Sequence, residues 1–174
     1  LKLYIVINAE DRVLSVSDTP ISMGGFETIE VEVQDGAEIF THPTSFKYEN
    51  GSLVKDESFV IESAKKDKIE LLNMTCEEEI LKPFTATNGH VYAFEMKDQI
   101  NFNQQLSLIT LDESITEIIW KTEDSGVLVH TRDEFIQVVA NAETHKRSNI
   151  TKYWTLKAQV QSATTIEGIE AITW

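Results

Sequence analysis

The chain has 174 residues, 41% of them apolar and 25% charged, which suits a soluble globular protein with one sizeable core or two small ones. Its formal net charge is −14, and the excess sits in residues 1–130, where ten Lys or Arg face 24 Asp or Glu; residues 131–174 hold five of each. Such a field repels nucleic-acid phosphates and anionic membrane, so neither is expected as a partner, and the single cysteine, Cys76, excludes a disulfide scaffold.

No apolar run approaches the roughly 20 residues that span a bilayer, and the N-terminal residues lack a basic flank before a signal-like core. Both features predict a chain that stays in the cytoplasm in which it is made. Leu3 to Ile7 and Val13 to Val16 are β-branched and aromatic runs separated by a polar turn, which predicts a first hairpin. Phe26 to Val33 alternates, with Ile29, Val31 and Val33 on one side and Glu30, Glu32 and Gln34 on the other, as a strand with one buried face does. Asn50-Gly51, flanked by Lys47, Tyr48, Leu53 and Val54, suits the positive φ angles of a tight hairpin turn.

From Phe59 to Leu81 the pattern becomes helical: Ile61, Ala64, Lys68, Leu71, Leu72, Cys76 and Ile80 recur near a 3.6 period, and Pro83 ends the run. Cys76 then reads as a small buried hydrophobe. A second hairpin is centred on Asn88-Gly89, with Val91 and Ala93 on one face and His90, Tyr92 and Phe94 on the other. Asp98 is a candidate cap for a helix through about Leu108 that buries Ile100, Phe102, Leu106 and Ile109. Ile115 to Lys121 and Val127 to Val129 predict a further strand pair about the turn at Glu123 to Gly126.

The strongest signal is the last quarter. Thr131 with Glu134 reads as a capping box, and Phe135, Val138, Val139, Ala142, Tyr153, Leu156 and Val160 then recur at helical spacing with no Gly or Pro through Ser162. Phe135, Ala142, Asn149, Leu156 and Ala163 fall at intervals of seven, with Val139, Lys146, Tyr153 and Val160 four residues on. Such a stripe either packs on the chain's own core or forms an oligomer seam through Phe135, Val139, Ala142, Asn149, Tyr153, Leu156 and Val160. Thr164 with Glu167 marks a short segment expected to fold back and bury Ile169, Ile172 and Trp174. The expected architecture is α+β: a small N-terminal β module over 1–60, a helix–hairpin–helix–hairpin region over 61–130, and a long amphipathic helix with its fold-back over 131–174.

Residue chemistry is sparse. His42, His90, His130 and His145 are dispersed, without the spacing that puts two metal ligands on one face. Glu77 to Glu79 are adjacent on a helix and point in different directions, as a solvated face rather than a carboxylate pair. No phosphate loop, dinucleotide fingerprint, nucleophile elbow or zinc spacing is present, so no cofactor or metal is expected and nothing in the pattern supports an enzyme.

Between Cys76 and Phe102 the sequence reads C-x-x-x-I-x-x-x-F, N-G-H-x-Y-x-F and D-Q-x-N-F, through Cys76, Ile80, Phe84, Asn88, Gly89, His90, Tyr92, Phe94, Asp98, Gln99, Asn101 and Phe102. The C-terminal part adds Arg132, Glu134 and Phe135, the H-K-R triplet at His145 to Arg147, and the ending A-T-T-I-E-x-I-E-A-I-T-W. Over about 100 residues this resembles bacteriophage and prophage tail, tail-fibre and tail-fibre-assembly proteins. The resemblance implies a non-enzymatic structural or adaptor protein that contacts other tail proteins, with His90, Tyr92, Gln99 and Asn101 as a candidate docking surface. It also implies synthesis in the host cytoplasm and a place in the virion tail if the protein is structural. Alternative expectations are a tail-fibre assembly chaperone and, third, a hydrolase of cell-wall glycan.

Overall fold

The computed structural model describes residues 1–33 and 37–174, and the chain divides into two compact units, Leu1–Lys66 and Asp67–Trp174. Gln34, assigned above to the solvent side of a strand, lies outside the described residues.

The first unit is mostly β. Strand β1 (Lys2–Ile7) is central in an antiparallel sheet of order β2-β1-β3, between β2 (Val13–Ser17) and β3 (Glu27–Glu32). Leu3, Ile5 and Ile7 are buried with Val13, Val31 and Ile39, the last from the short helix α1 (Ala37–Thr41), which sequence periodicity did not reveal. Strands β4 (Phe46–Glu49) and β5 (Ser52–Lys55) form the hairpin expected at Asn50-Gly51, where both residues take positive φ, 51° and 83°. Asp56 precedes helix α2 (Glu57–Ile80) and accepts from Phe59 N–H at 3.0 Å, an N-cap interaction, while Arg12 Nη2 meets its other oxygen at 2.7 Å. The Arg12 guanidinium also covers the Phe59 ring, 3.6 Å from its centroid.

The second unit contains the later turns of α2, the short strands β6 (Phe84–Thr85) and β7 (Val91–Tyr92), helix α3 (Met96–Leu111), the hairpin β8 (Glu117–Thr122) and β9 (Gly126–Thr131), helix α4 (Arg132–Ser162) and helix α5 (Ile166–Glu170). The middle region and the long helix, read from sequence as separate parts, share one core in which Phe84, Tyr92, Phe94, Phe102, Ile118 and Phe135 pack together. Aromatic rings dominate it: Phe102 stacks on Trp120 at 4.6 Å between centroids, and Trp120 meets Phe135 at 5.0 Å.

Helix α4 starts where its capping box predicts, with Glu134 N–H donating to Thr131 Oγ1 and Thr131 N–H donating to Glu134 Oε2. It buries Phe135, Val138, Ala142 and Val160. Beyond it the chain folds back, capped at Thr165 rather than Thr164. Ile169 is buried, whereas Ile172 and Trp174 are only half-buried. Lys68 Nζ donates to the carbonyl of Ile172 at 3.1 Å, and Lys152 Nζ lies 4.6 Å from the centre of the Trp174 ring, so the tail is held from α2 and α4.

Candidate functional site

The four residues of the expected docking surface do not share a surface. Tyr92 is completely buried; its hydroxyl accepts from Asn88 Nδ2 at 2.8 Å and lies 2.7 Å from His130 Nε2, and burial pushes its phenol above the ordinary value. Gln99 is also buried, with Nε2 donating to Phe94 O at 3.2 Å and Oε1 accepting from Lys146 Nζ at 3.1 Å. His90 is half-buried and fixed by Asp124, whose Oδ2 lies 3.0 Å from Nδ1 while Oδ1 accepts from Val91 N–H at 2.8 Å. These bonds tie the β6–β7 turn to the β8–β9 turn, and the His90 hydrogen bond is the largest influence holding the Asp124 carboxyl below the usual carboxylate range. Asn101 alone is exposed. The reason is periodicity: Gln99, Phe102, Leu106 and Ile109 are the inward stripe of α3, and Asn101 lies on the opposite side.

The residues of the expected oligomer seam are divided between the chain's own core and a half-buried stretch. Phe135 and Ala142 belong to the core and Val139 packs against it; Asn149 Nδ2 donates to His145 O at 3.1 Å within its own helix. Tyr153 and Leu156 are half-buried and Val160 is fully buried. In the H-K-R triplet, His145 Nε2 lies 3.2 Å from Ile80 O, meeting a carbonyl of the last turn of α2, and its ring stacks on Phe84. Asp98 is not the N-cap of α3. It stands three residues after Glu95, which is, and its Oδ2 accepts from Glu95 N–H at 3.0 Å.

What the second unit does present is an open groove of about 660 Å³ between α3 and β8. Asn101, Gln104 and Leu108 line it from the helix, Ile119 and Lys121 from the strand. Its polar groups include two carboxylates, Asp98 and Glu123, of which Asp98 is engaged at the helix start.

Leu108 and Ile119 make the groove the middle of a longer apolar band. On the helix side the band continues to Ile100 and Leu111; on the strand side Ile119 pairs across to Val129, next to Val127 on the same face. These are among the most exposed large apolar side chains of the protein: Leu111 is 87% exposed, Ile119 71%, Val127 66% and Val129 61%. Exposed apolar side chains grouped in this way form a candidate contact surface. Ile100, which sequence reading placed in the core, belongs to this band.

Among the described residues no three His, Cys, Asp or Glu side chains converge as metal ligands, and no helix is long and apolar enough to cross a membrane. Nδ1 of His130 is a buried side-chain nitrogen without a hydrogen-bond partner, and it lies in the core rather than in the groove.

A family model described as a domain of unknown function (DUF4376) matches residues 63–173, well over half of the chain, and the protein belongs to that family. The matched span includes all of α3, the β8–β9 hairpin and the groove between them. No curated protein and no solved structure matches the chain.

Proposed function

We propose that this protein is a non-enzymatic structural or adaptor component of a bacteriophage or prophage tail that works through protein–protein contacts, and that α3 and the β8–β9 hairpin carry its principal docking surface. The observation behind the docking role is the apolar band from Leu111 through Leu108 and Ile119 to Val127, whose side chains would each contribute about 1.5 to 3 kcal/mol if a partner buried them fully. The tail assignment is supported by the sequence resemblance, whose motif residues serve mainly to build the fold beneath that band. Tyr92, Gln99 and Phe102 fill or fasten the core on which α3 lies, and His90 holds the turn at the end of the hairpin.

The reading is tested on particles. Mass spectrometry of purified virions from a producing strain should find the chain, and Ile119→Lys should remove it from particles without lowering its melting temperature. A chain present during assembly but missing from finished particles would overturn the structural reading and favour the assembly chaperone. Hydrolysis of cell-wall glycan that is lost on Glu123→Gln would favour the enzyme.

A further inference from the structure

Both strands of the β8–β9 hairpin lie at the edge of a two-stranded sheet, but the edges are not alike. On the β8 side, Glu123 N–H donates to Val91 O at the turn, and Glu117 and Lys121 flank the exposed Ile119. Strand β9 reads Gly-Val-Leu-Val-His-Thr, with no Pro or Lys, and its pairing with β8 runs without a bulge from Gly126 to Thr131. It therefore lacks the usual devices that keep an edge strand from pairing.

The register says which groups are free. Arg132 N–H donates to Thr116 O, and antiparallel alternation makes Ile118/His130, Trp120/Leu128 and Thr122/Gly126 the pairs that exchange hydrogen bonds. The amides and carbonyls of Val127, Val129 and Thr131 thus point away from β8. Thr131 N–H is already taken, donating to Glu134 Oε2 at 2.8 Å to cap α4. Among the described residues, Val127 and Val129 are left, each with one donor and one acceptor along an open edge.

We propose that this edge pairs with the same edge of a second copy, β9 against β9, antiparallel about a twofold axis through Leu128. That register sets Val127 opposite Val129 of the other copy twice over. It engages both residues' free donors and acceptors in four inter-chain hydrogen bonds and leaves the Thr131 cap intact. Charge also selects a second copy here. The chain carries −14, so most faces of two copies repel, whereas the outward side chains of β9 are Val127, Val129 and Thr131 and bring no like charges together. The product is a four-stranded sheet whose outer face carries Ile119 and Val129 of each copy in one continuous apolar strip. The inference does not depend on the tail assignment.

Light scattering on the full chain at micromolar concentration tests it, with two variants. The wild type should show twice the chain mass. Val129→Lys, at an exposed position, should halve that mass and leave the far-ultraviolet circular dichroism unchanged. Leu128 would face its own counterpart in a non-hydrogen-bonded pair with Cα atoms about 4.5 Å apart, within disulfide range. Leu128→Cys should therefore give a covalent dimer on mild oxidation where the wild type, with Cys76 buried, gives none. A monomeric wild type would leave the edge to a foreign strand and overturn the proposal. A dimer that survives Val129→Lys, or one in which Leu128→Cys does not cross-link, would overturn it as well.

Discussion

The phenol oxygen of Tyr92 lies 2.7 Å from Nε2 of His130, with both side chains sealed inside the second unit. Asn88 donates to the same oxygen, and the other ring nitrogen of His130, Nδ1, has no hydrogen-bond partner among the described residues. Two distant stretches are joined this way: the turn before β7 and the strand that leads into α4. Tyr92→Phe removes the hydroxyl, leaving a second ring nitrogen of His130 buried without a partner. It should cost about 1 to 3 kcal/mol in urea denaturation, with the slope of the transition unchanged. An unaltered midpoint would show that water reaches His130.

Much of this architecture was legible because its signals are local. The Thr131–Glu134 box, the Asn50-Gly51 and Asn88-Gly89 turns and the uninterrupted run to Ser162 need no tertiary information, and each appears where the sequence places it. Orientation was harder to read. Helix α3 carries an inward stripe at Gln99, Phe102, Leu106 and Ile109 and an outward apolar stripe at Ile100, Leu108 and Leu111. With a polar Gln99 on the first and Ile100 on the second, composition favours assigning Ile100 to the core. Packing of Phe102 on Trp120 and Phe135 decides otherwise. The groove stayed hidden for the same reason. It is defined by which apolar residues the core does not use, and two apolar stripes on one helix are equivalent until a neighbour covers one.

Ile169 is 1% exposed, the one fully enclosed side chain of the C-terminal fold-back. Ile169→Ala should destabilise the protein by about 2 to 5 kcal/mol, the range for truncating a large aliphatic residue in a packed site. Ile172→Ala and Trp174→Ala, at half-buried positions, should each cost less. Thermal melts of the three variants check the order, and equal losses would mean that the tail is held by its lysine contacts rather than by burial of Ile169.

Cys76 is buried on α2, and desolvation, with a smaller contribution from Glu77, raises its thiol above the ordinary value. A thiol reagent at neutral pH should label it slowly in native buffer and quickly in denaturant. Equal rates would place the sulfur at the surface.

Asp56 joins Ser58, Arg12 and the Phe59 amide, and these hydrogen bonds hold its carboxyl well below the usual carboxylate range. A depressed folded value gives stability that is complete above the unfolded value and lost as pH falls through the folded one. The wild type should therefore exceed Asp56→Asn in melting temperature at pH 6, and the gap should close progressively below about pH 4, as Asp carboxyls protonate in the unfolded chain. A gap independent of pH down to strong acid would mean that the cap acts by shape alone.

The heptad stripe of α4 and the edge of β9 make opposite predictions about self-association. Phe135, Val139 and Ala142 pack into the chain's own core, so these three are not available to a facing helix while the fold is intact, and the half-buried Asn149 already donates within its own helix. Asn149→Leu exchanges one half-buried side chain for another of similar size and removes a local hydrogen bond. It should change stability by less than about 1.5 kcal/mol, the net contribution of one such bond, and leave the oligomeric state as it is in the wild type. Val129→Lys acts on the opposite expectation, altering mass and not the fold. Measured together by light scattering, the two variants separate the interfaces. If the mass responds to Asn149→Leu and not to Val129→Lys, association runs through an opened α4 and the β9 edge plays no part. The reverse response assigns association to the strand.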